Sequence, residues 1–451
     1  MTTLKMRRIK SYVYLAVSLM LTGLSTLLTA QETKGIREII TTGLENNFDL
    51  KISRNEQRIS DNNLTLGNAG YLPTIGLTSG YNVRQNQSDQ FPSDGEEMVS
   101  SRNNVTQTLD AAVSLNMSIF EGFKVQTNHK RLKELQNVGE LNTQLDIENF
   151  IANISAEYYN YVQQTLQMKN LRQAVDLSRE RLRIVEARYQ IGDFSRLDLQ
   201  QARVDFNADS SMLIRQHEVT HTSRIKLNEM MGAENVEQLF TAADTSITFN
   251  KELSKEELLS DMMMLNTSLL LTEKNKTLSE LDLKTLQSQN YPYLRLNAGY
   301  GFTHYDYNSG NLDRQRTWGP TAGVTLGFNI FDGFNRKREQ KNARIRIENQ
   351  SLQVDRQKLY LQSDFANMWL AYQNNIQLEN LEKESLENAQ LNHEIAMDRY
   401  KLGDLSGILL REAQVGLINA EQRLLGAQYR VKLYEISLML ISGRIGRLIG
   451  E

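Results

Sequence analysis

The 451-residue chain contains no cysteine, which excludes disulfides and also lipid attachment at an N-terminal cysteine. It has only four prolines, Pro73, Pro92, Pro292 and Pro320, all in or beside two regions of alternating residues. Elsewhere the sequence is rich in Leu, Glu, Gln, Lys, Arg and Ala, so long helices can run unbroken. Beyond Leu28 there is no apolar run of roughly 18 residues, so no transmembrane helix is expected in the mature chain. If such a chain sits in a membrane, it must do so with strands. A positive charge excess is also missing. The N-terminus reads as a cleaved signal peptide over residues 1–30. Lys5, Arg7, Arg8 and Lys10 precede an apolar run to Leu28, and Leu28-Thr29-Ala30 offers a cleavage site. Its removal lowers the 51 Lys and Arg to 47 against 54 Asp and Glu, a balance that argues against nucleic acid as a partner.

Two stretches carry the organisation. Val324, Leu326, Phe328 and Ile330 alternate with Thr325, Gly327 and Asn329, then Phe331-Asp332-Gly333-Phe334 turns into a long helical segment. Leu109, Ala111, Val113, Leu115, Met117 and Ile119 alternate in the same way before Phe120-Glu121-Gly122-Phe123. A period of two held for about ten residues suits a tilted strand that crosses a bilayer. Alternation also follows Tyr71-Leu72-Pro73 and runs through Leu294–Thr303. Strands are therefore expected at about 72–84, 107–120, 293–304 and 320–331, with Gln85–Asn104 a surface loop. Long helices are expected at about 123–190 and 334–401. The first would be a rod of roughly 100 Å, and Ile147, Ile151, Ile154, Tyr158 and Tyr161 step along it with coiled-coil spacing. Each rod ends at a glycine, Gly192 or Gly403, with a capping serine, Ser195 or Ser406, three residues on.

The whole order occurs twice. Asn47 and Leu50 match Asn266 and Leu269, Pro73 and Tyr81 match Pro292 and Tyr300, and Arg188–Ser195 matches Arg399–Ser406 without a gap. Two repeats are expected, residues 31–245 and 246–451, each helix-strand-strand-helix-turn-helix. The fold class is mainly α with a membrane β-barrel portion. Four strands cannot close a barrel, and the smallest membrane barrels have about eight, so several copies must share one. Tyr71, Tyr291, Phe120, Phe331 and Phe334 fall at one end of the strands and Trp318 near the other, where interfacial aromatics sit.

One motif points elsewhere. His217-Glu218-Val219-Thr220-His221 has the spacing of a zinc peptidase helix, but Arg224 and Leu227 occupy the glycine and histidine positions of the extended motif. Glu229 lies two turns away and cannot converge on the same ion. No metal, cofactor or catalytic residue is assigned, and the chain is read as no enzyme.

The Tyr71-Leu72-Pro73 entry, the Ile-Phe-Asp-Gly-Phe turn and the two Arg-Tyr-x-x-Gly-x-x-Ser tips together resemble the TolC family of outer-membrane efflux and secretion channels. The resemblance implies a homotrimer with a 12-stranded barrel in the outer membrane and a 12-helix barrel in the periplasm. It also implies a periplasmic adaptor (membrane fusion protein) and an inner-membrane transporter, which supplies the energy. The chain itself would be a passive, gated exit duct of an efflux pump or type I secretion system. In the family a Tyr–Asp–Arg network and rings of acids close the periplasmic end. Tyr400 and Asp198 match the first two, and Glu412 the second acid. Leu409 stands at the first acid and Leu405 at the arginine, for which Arg196 or Arg411 could substitute. On this reading Tyr400→Phe raises the closed-state conductance. Gly192, Asp193, Gly403 and Asp404 are the expected adaptor-docking tips. The competing reading is a periplasmic coiled-coil adaptor or structural protein with a small soluble sheet.

Overall fold

The computed structural model describes residues 32–90, 93, 98–308 and 312–448; the expected signal segment and Pro92 lie outside them. The chain divides into two compact units: Met1–Ile52, Leu145–Asn266 and Tyr360–Glu451 form one, Ser53–Gln144 and Thr267–Leu359 the other. It is mostly helical. In chain order the elements are β1 (Glu32–Lys34), α1 (Ile36–Asn46), α2 (Phe48–Asn63), α3 (Leu66–Ala69), β2 (Thr74–Gln90), β3 (Val99–Glu121), α4 (Lys124–Gln190) and α5 (Arg196–Met230). There follow β4 (Phe240–Ala242), α6 (Lys255–Leu265), α7 (Thr267–Ser288), β5 (Tyr293–Tyr307), β6 (Arg314–Gly327), α8 (Asn335–Leu402), α9 (Gly407–Ile441) and a 3₁₀ turn at Ile445–Leu448.

In the helix-rich unit, Ile151, Ile154, Tyr158 and Tyr161 of α4 are buried against Ile39 and Ile40 of α1, Leu227 of α5 and Ile436 of α9. Gly43 lets α1 lie directly on this face, since a Cβ there would stand 2.5 Å from the Phe150 ring. Two asparagines do equivalent work. Asn47 Nδ2 donates to the carbonyl of Met230 at 3.0 Å, and Asn266 Nδ2 donates to that of Ile441 at 3.0 Å. Each thus satisfies a carbonyl at the C-terminal end of a returning helix, α5 or α9, that has no partner within its own helix. Both helices then end in a left-handed glycine, Gly232 or Gly443.

In the sheet-bearing unit, β2, β3, β5 and β6 form one antiparallel sheet in that order. Two sequence expectations need correction here. Most of Gln85–Asn104 is not a loop: β2 runs to Gln90 and β3 starts at Val99. Backbone pairing needs no apolar side chain where both faces can meet water, so the polar composition misled. β6 starts at Arg314 and stops at Gly327, short of the expected 331. Its last ladder partner is Tyr293, and the residue before that is Pro292, which has no N–H to extend the ladder. Between Asp49 and Gly67 the chain forms two helices, α2 and α3, broken at Leu64. In the helix-rich unit, β1 pairs in parallel with β4. Three-residue strands leave no periodicity to read.

Candidate functional site

The register decides which side chains share a face of the sheet. Leu77, Val113, Tyr300 and Pro320 stand directly opposite one another, and so do Ile75, Leu115, Ala298 and Ala322. Directly opposed residues point the same way, so all four apolar rows fall on one face. That face is uncovered within the chain: Leu77, Tyr81, Trp318, Val324 and Leu326 are all exposed. The other face carries rows such as Gly76, Ser114, Gly299 and Thr321, small and polar. There Asn297 Nδ2 donates to Asn116 Oδ1 at 2.8 Å. Among the described residues the edge strands β2 and β6 each have a single neighbour.

The aromatics expected at one end of the strands gather where strands meet helices. Phe120 packs edge-on to Phe123 at 5.2 Å, Phe123 edge-on to Tyr291 at 5.9 Å, and Phe331 edge-on to Phe334 at 5.3 Å. Tyr71 instead meets His129 of α4. Both strand-to-helix turns place two successive residues in the left-handed region, Gly122 and Phe123 at φ 60° and 68°, Gly333 and Phe334 at 68° and 63°. A phenylalanine there is uncommon, and the same geometry in both turns ties it to the turn itself. Trp318 stands exposed on the apolar face, two strand positions from Pro320.

At the hairpin tips the two repeats use one construction. The N–H of Gly192 reaches the carbonyl of Tyr189 and that of Asp193 reaches Arg188; Gly403 and Asp404 do the same to Tyr400 and Arg399. This is a Schellman ending with the glycine at positive φ, 81° and 84°. The Asp193 and Asp404 side chains then pair with Arg188 at 3.9 Å and Arg399 at 2.9 Å. Around Gly192 the space beyond the backbone is open for 4 Å.

Tyr400 is 1 % exposed and packs with Val185, Leu199, Ala202, Ala396, Leu410 and Ala413, so all four long helices meet around it. Its hydroxyl has no hydrogen-bond partner among the described residues. Burial pushes its pKa up, against the pull of the Arg181 and Arg188 guanidiniums. Asp198 lines the same cavity of about 180 Å³ as Tyr400, Arg181 and Leu405, but its carboxylate is engaged elsewhere. It accepts from the Ser195 hydroxyl at 2.6 Å and the Ser195 N–H at 3.0 Å, closing a capping box at the start of α5. These bonds hold its pKa below the usual carboxylate range. The expected Tyr400–Asp198 hydrogen bond is therefore absent among the described residues. Leu405 packs on the Tyr400 cluster, while Leu409 and Glu412 are exposed.

Of the two substitutes for the missing arginine, Arg196 is exposed. Arg411 of α9 grips Asp209 of α5 through both terminal nitrogens, each at 2.7 Å. Asp205, one turn earlier, lies 3.9 Å from Arg411 and 2.8 Å from Arg181 of α4. Sequence reasoning missed Arg181, Asp205 and Asp209. The available signal was a pair of acids four residues apart, continuing the buried stripe of Leu199 and Ala202.

On the peptidase-like stretch, the His217 and His221 rings lie 4.6 Å apart and Arg224 Nη2 sits 2.6 Å from His221 Nδ1. Burial, then Arg224 and His217, pull the His221 pKa down. The Arg224 guanidinium thus lies against both ring nitrogens of His221, with Nε2 at 3.4 Å.

No described helix is long and apolar enough to cross a membrane. The sequence profile of the outer membrane efflux protein family matches residues 39–233 and 261–444. The chain is 21% identical over 438 residues to outer membrane protein TolC of Vibrio cholerae, covering 94% of each. Its fold is similar to that of VceC of Vibrio cholerae, at TM-score 0.73 and 14% identity over 90% of this chain and 96% of that one. It is also similar to the Campylobacter jejuni CmeC channel, at TM-score 0.73 and 16% identity over 91% and 85%. With an exposed apolar sheet face and paired helical hairpins matched nearly end to end, the chain belongs to the outer membrane efflux protein family, and it is an outer-membrane efflux channel whose helical portion lies in the periplasm.

Proposed function

We propose that three copies of this chain share one barrel, each giving its four strands, and form a passive exit duct for an inner-membrane transporter. The observation that carries this is the sheet: four apolar rows on one face and two edge strands with a single neighbour each. An open edge in lipid leaves N–H and C=O groups without partners, at several kcal/mol each. Pairing β6 of one copy with β2 of the next removes both edges and turns the apolar face to lipid. Family membership supports three copies rather than two. A soluble periplasmic adaptor is disfavoured, because it would expose these rows to water.

On this reading residues 31–245 and 246–451 are two structural repeats, and residues 1–30 are a cleaved signal peptide. Tyr400, Asp198, Leu405, Leu409 and Glu412 lie at the periplasmic gate, with Leu409 and Glu412 free to face the duct. Gly192, Asp193, Gly403 and Asp404 form the adaptor-docking tips, where backbone without a Cβ admits a partner closely. Phe120, Tyr291, Phe331, Phe334 and Tyr71 mark one lipid interface and Trp318 the other. The test is the conductance of the purified protein in planar bilayers, together with drug export in a strain lacking its own exit channel. Absence of both pores and export would defeat the reading.

A further inference from the structure

The apolar face of β5 and β6 changes character towards the end away from the helices. On β6 the column on this face is apolar from Leu326 to Trp318, then turns to Arg316 and Arg314. On β5 it changes in the same rows, from Phe302 to His304 and Asp306. Because the helical portion lies in the periplasm, this is the outer end of the strands. From Leu326 to Trp318 is about 27 Å along a strand, or roughly 20 Å of height at the tilt of a barrel strand. The apolar band of a membrane barrel is about 25 Å tall, so Trp318 stands near its outer border. Arg316 and Arg314 follow about 5 and 10 Å higher, at the level of the lipid headgroups.

The charges there do not cancel. Asp306 Oδ1 lies 3.0 Å from Arg314 Nε and its Oδ2 lies 3.3 Å from His304 Nε2, so this acid is already engaged. Arg316 is exposed and has no ion pair or hydrogen bond among the described residues. The Nδ1 of His304, beside it, is shielded and also without a hydrogen bond. Nor does the strand scaffold require these cations. In the first repeat Val105 and Asn103 stand at the matching places, and Val83, Gln85 and Gln107 share the face of Val105. An arginine at headgroup height with no carboxylate of its own suits a phosphate, whose oxygens its planar fork meets in pairs.

We infer that Arg316 and Arg314, with His304 beside them, bind the phosphate groups of outer-leaflet glycolipid on the outside of the barrel. The inference rests on the shared-barrel reading above, which turns this face to lipid. In that barrel β6 lies against β2 of the next copy, whose residues on this face from Ile75 to Gln85 include no acid. The site therefore recurs beside every junction between copies. Acyl chains of the bound lipid lie along the apolar column below, and the headgroup covers the seam.

The test uses the full-length assembled protein in mild detergent, mixed with phosphate-bearing lipid A or with the same lipid after phosphatase treatment. Native mass spectrometry counts the lipids retained per assembly, a readout independent of yield. Wild type should retain the phosphorylated lipid severalfold better, and Arg314→Gln with Arg316→Gln should abolish that preference. Arg84→Gln removes a cation from the polar face at the same end and should leave the preference intact. Equal retention of the two lipids by wild type would overturn the inference, even if the double variant failed to assemble. So would a preference that survives the double substitution, because the arginines would then only extend into water. Millimolar inorganic phosphate should not displace the lipid; complete displacement would assign the site to a free anion instead. A wild-type protein that is a single copy without need of detergent would defeat the barrel reading, a result visible before any lipid is added.

Discussion

Around Tyr400 the six packing partners come from all four long helices, whereas the hydroxyl has no hydrogen bond among the described residues. The ring therefore matters more than the oxygen. Tyr400→Phe should change resting conductance and stability little, by less than about 1 kcal/mol, because the hydroxyl makes no well-formed hydrogen bond and loses only the nearby Arg181 guanidinium. Tyr400→Ala should cost about 3–5 kcal/mol through the cavity it leaves. Thermal melting of the assembled protein separates the two, and an equal loss in both variants would restore the hydroxyl to the gate. This revises the sequence expectation, which gave the hydroxyl a hydrogen bond to Asp198. A second residue sets a pH response. His393 of α8 is buried, its Nε2 has no partner among the described residues, and burial pulls its pKa below the ordinary 6.5. As pH falls below 6.5 the unfolded chain takes up this proton before the folded one does, so stability is lost through that window. His393→Gln should flatten the fall in melting temperature between about pH 7 and pH 5. An unchanged slope would assign the acid sensitivity to other groups.

Among the elements, the two strand-to-helix turns look alike in sequence and differ in tolerance. Gly122 and Gly333 both have positive φ, so alanine costs each about 1 kcal/mol of backbone strain. At Gly122 a Cβ would also stand 2.1 Å from the Ser288 carbonyl oxygen, while at Gly333 the nearest atom is 3.7 Å away. Gly333→Ala should assemble, and Gly122→Ala should lose most of the assembled protein from the outer membrane; equal yields would mean the turn relaxes. The sheet gives a sharper contrast. Leu77 and Thr78 are neighbours on opposite faces of β2. Leu77→Arg should cost about 2–4 kcal/mol of insertion, as charge does on a lipid-facing side near the middle of a barrel wall, and Thr78→Arg far less. The reverse order would put lipid on the polar face. These faces could be read from the sequence because a two-residue period leaves one answer per strand. Strand ends could not be read, since polar residues such as Gln85 and Thr106 pair as well as apolar ones.

For the whole molecule, the repeated order of motifs carried most of what the sequence revealed. Gly-x-x-Ser tips and Asn47 and Asn266 recur because each repeat must end and re-start its helices in the same way. What stayed hidden was chemistry between elements distant in sequence: Arg181 with Asp205, Arg411 with Asp209, and the pairing of β1 with β4. A buried charge on a helix reads from sequence as an exposed one until the partner helix is in place. Assembly is the largest step beyond a single chain. Ile345, Leu352 and Leu359 of α8 remain exposed at seven-residue intervals, the spacing of a coiled-coil seam. Leu352→Glu with Leu359→Glu should reduce assembly without unfolding the single chain, and unchanged assembly would place the contact elsewhere.

The most direct test of the shared barrel is the molar mass of the mature protein extracted from outer membranes in mild detergent, corrected for bound detergent. Three copies of a chain slightly below 51.7 kDa are predicted. A single copy that stays in solution without detergent would contradict the barrel and, with it, the duct.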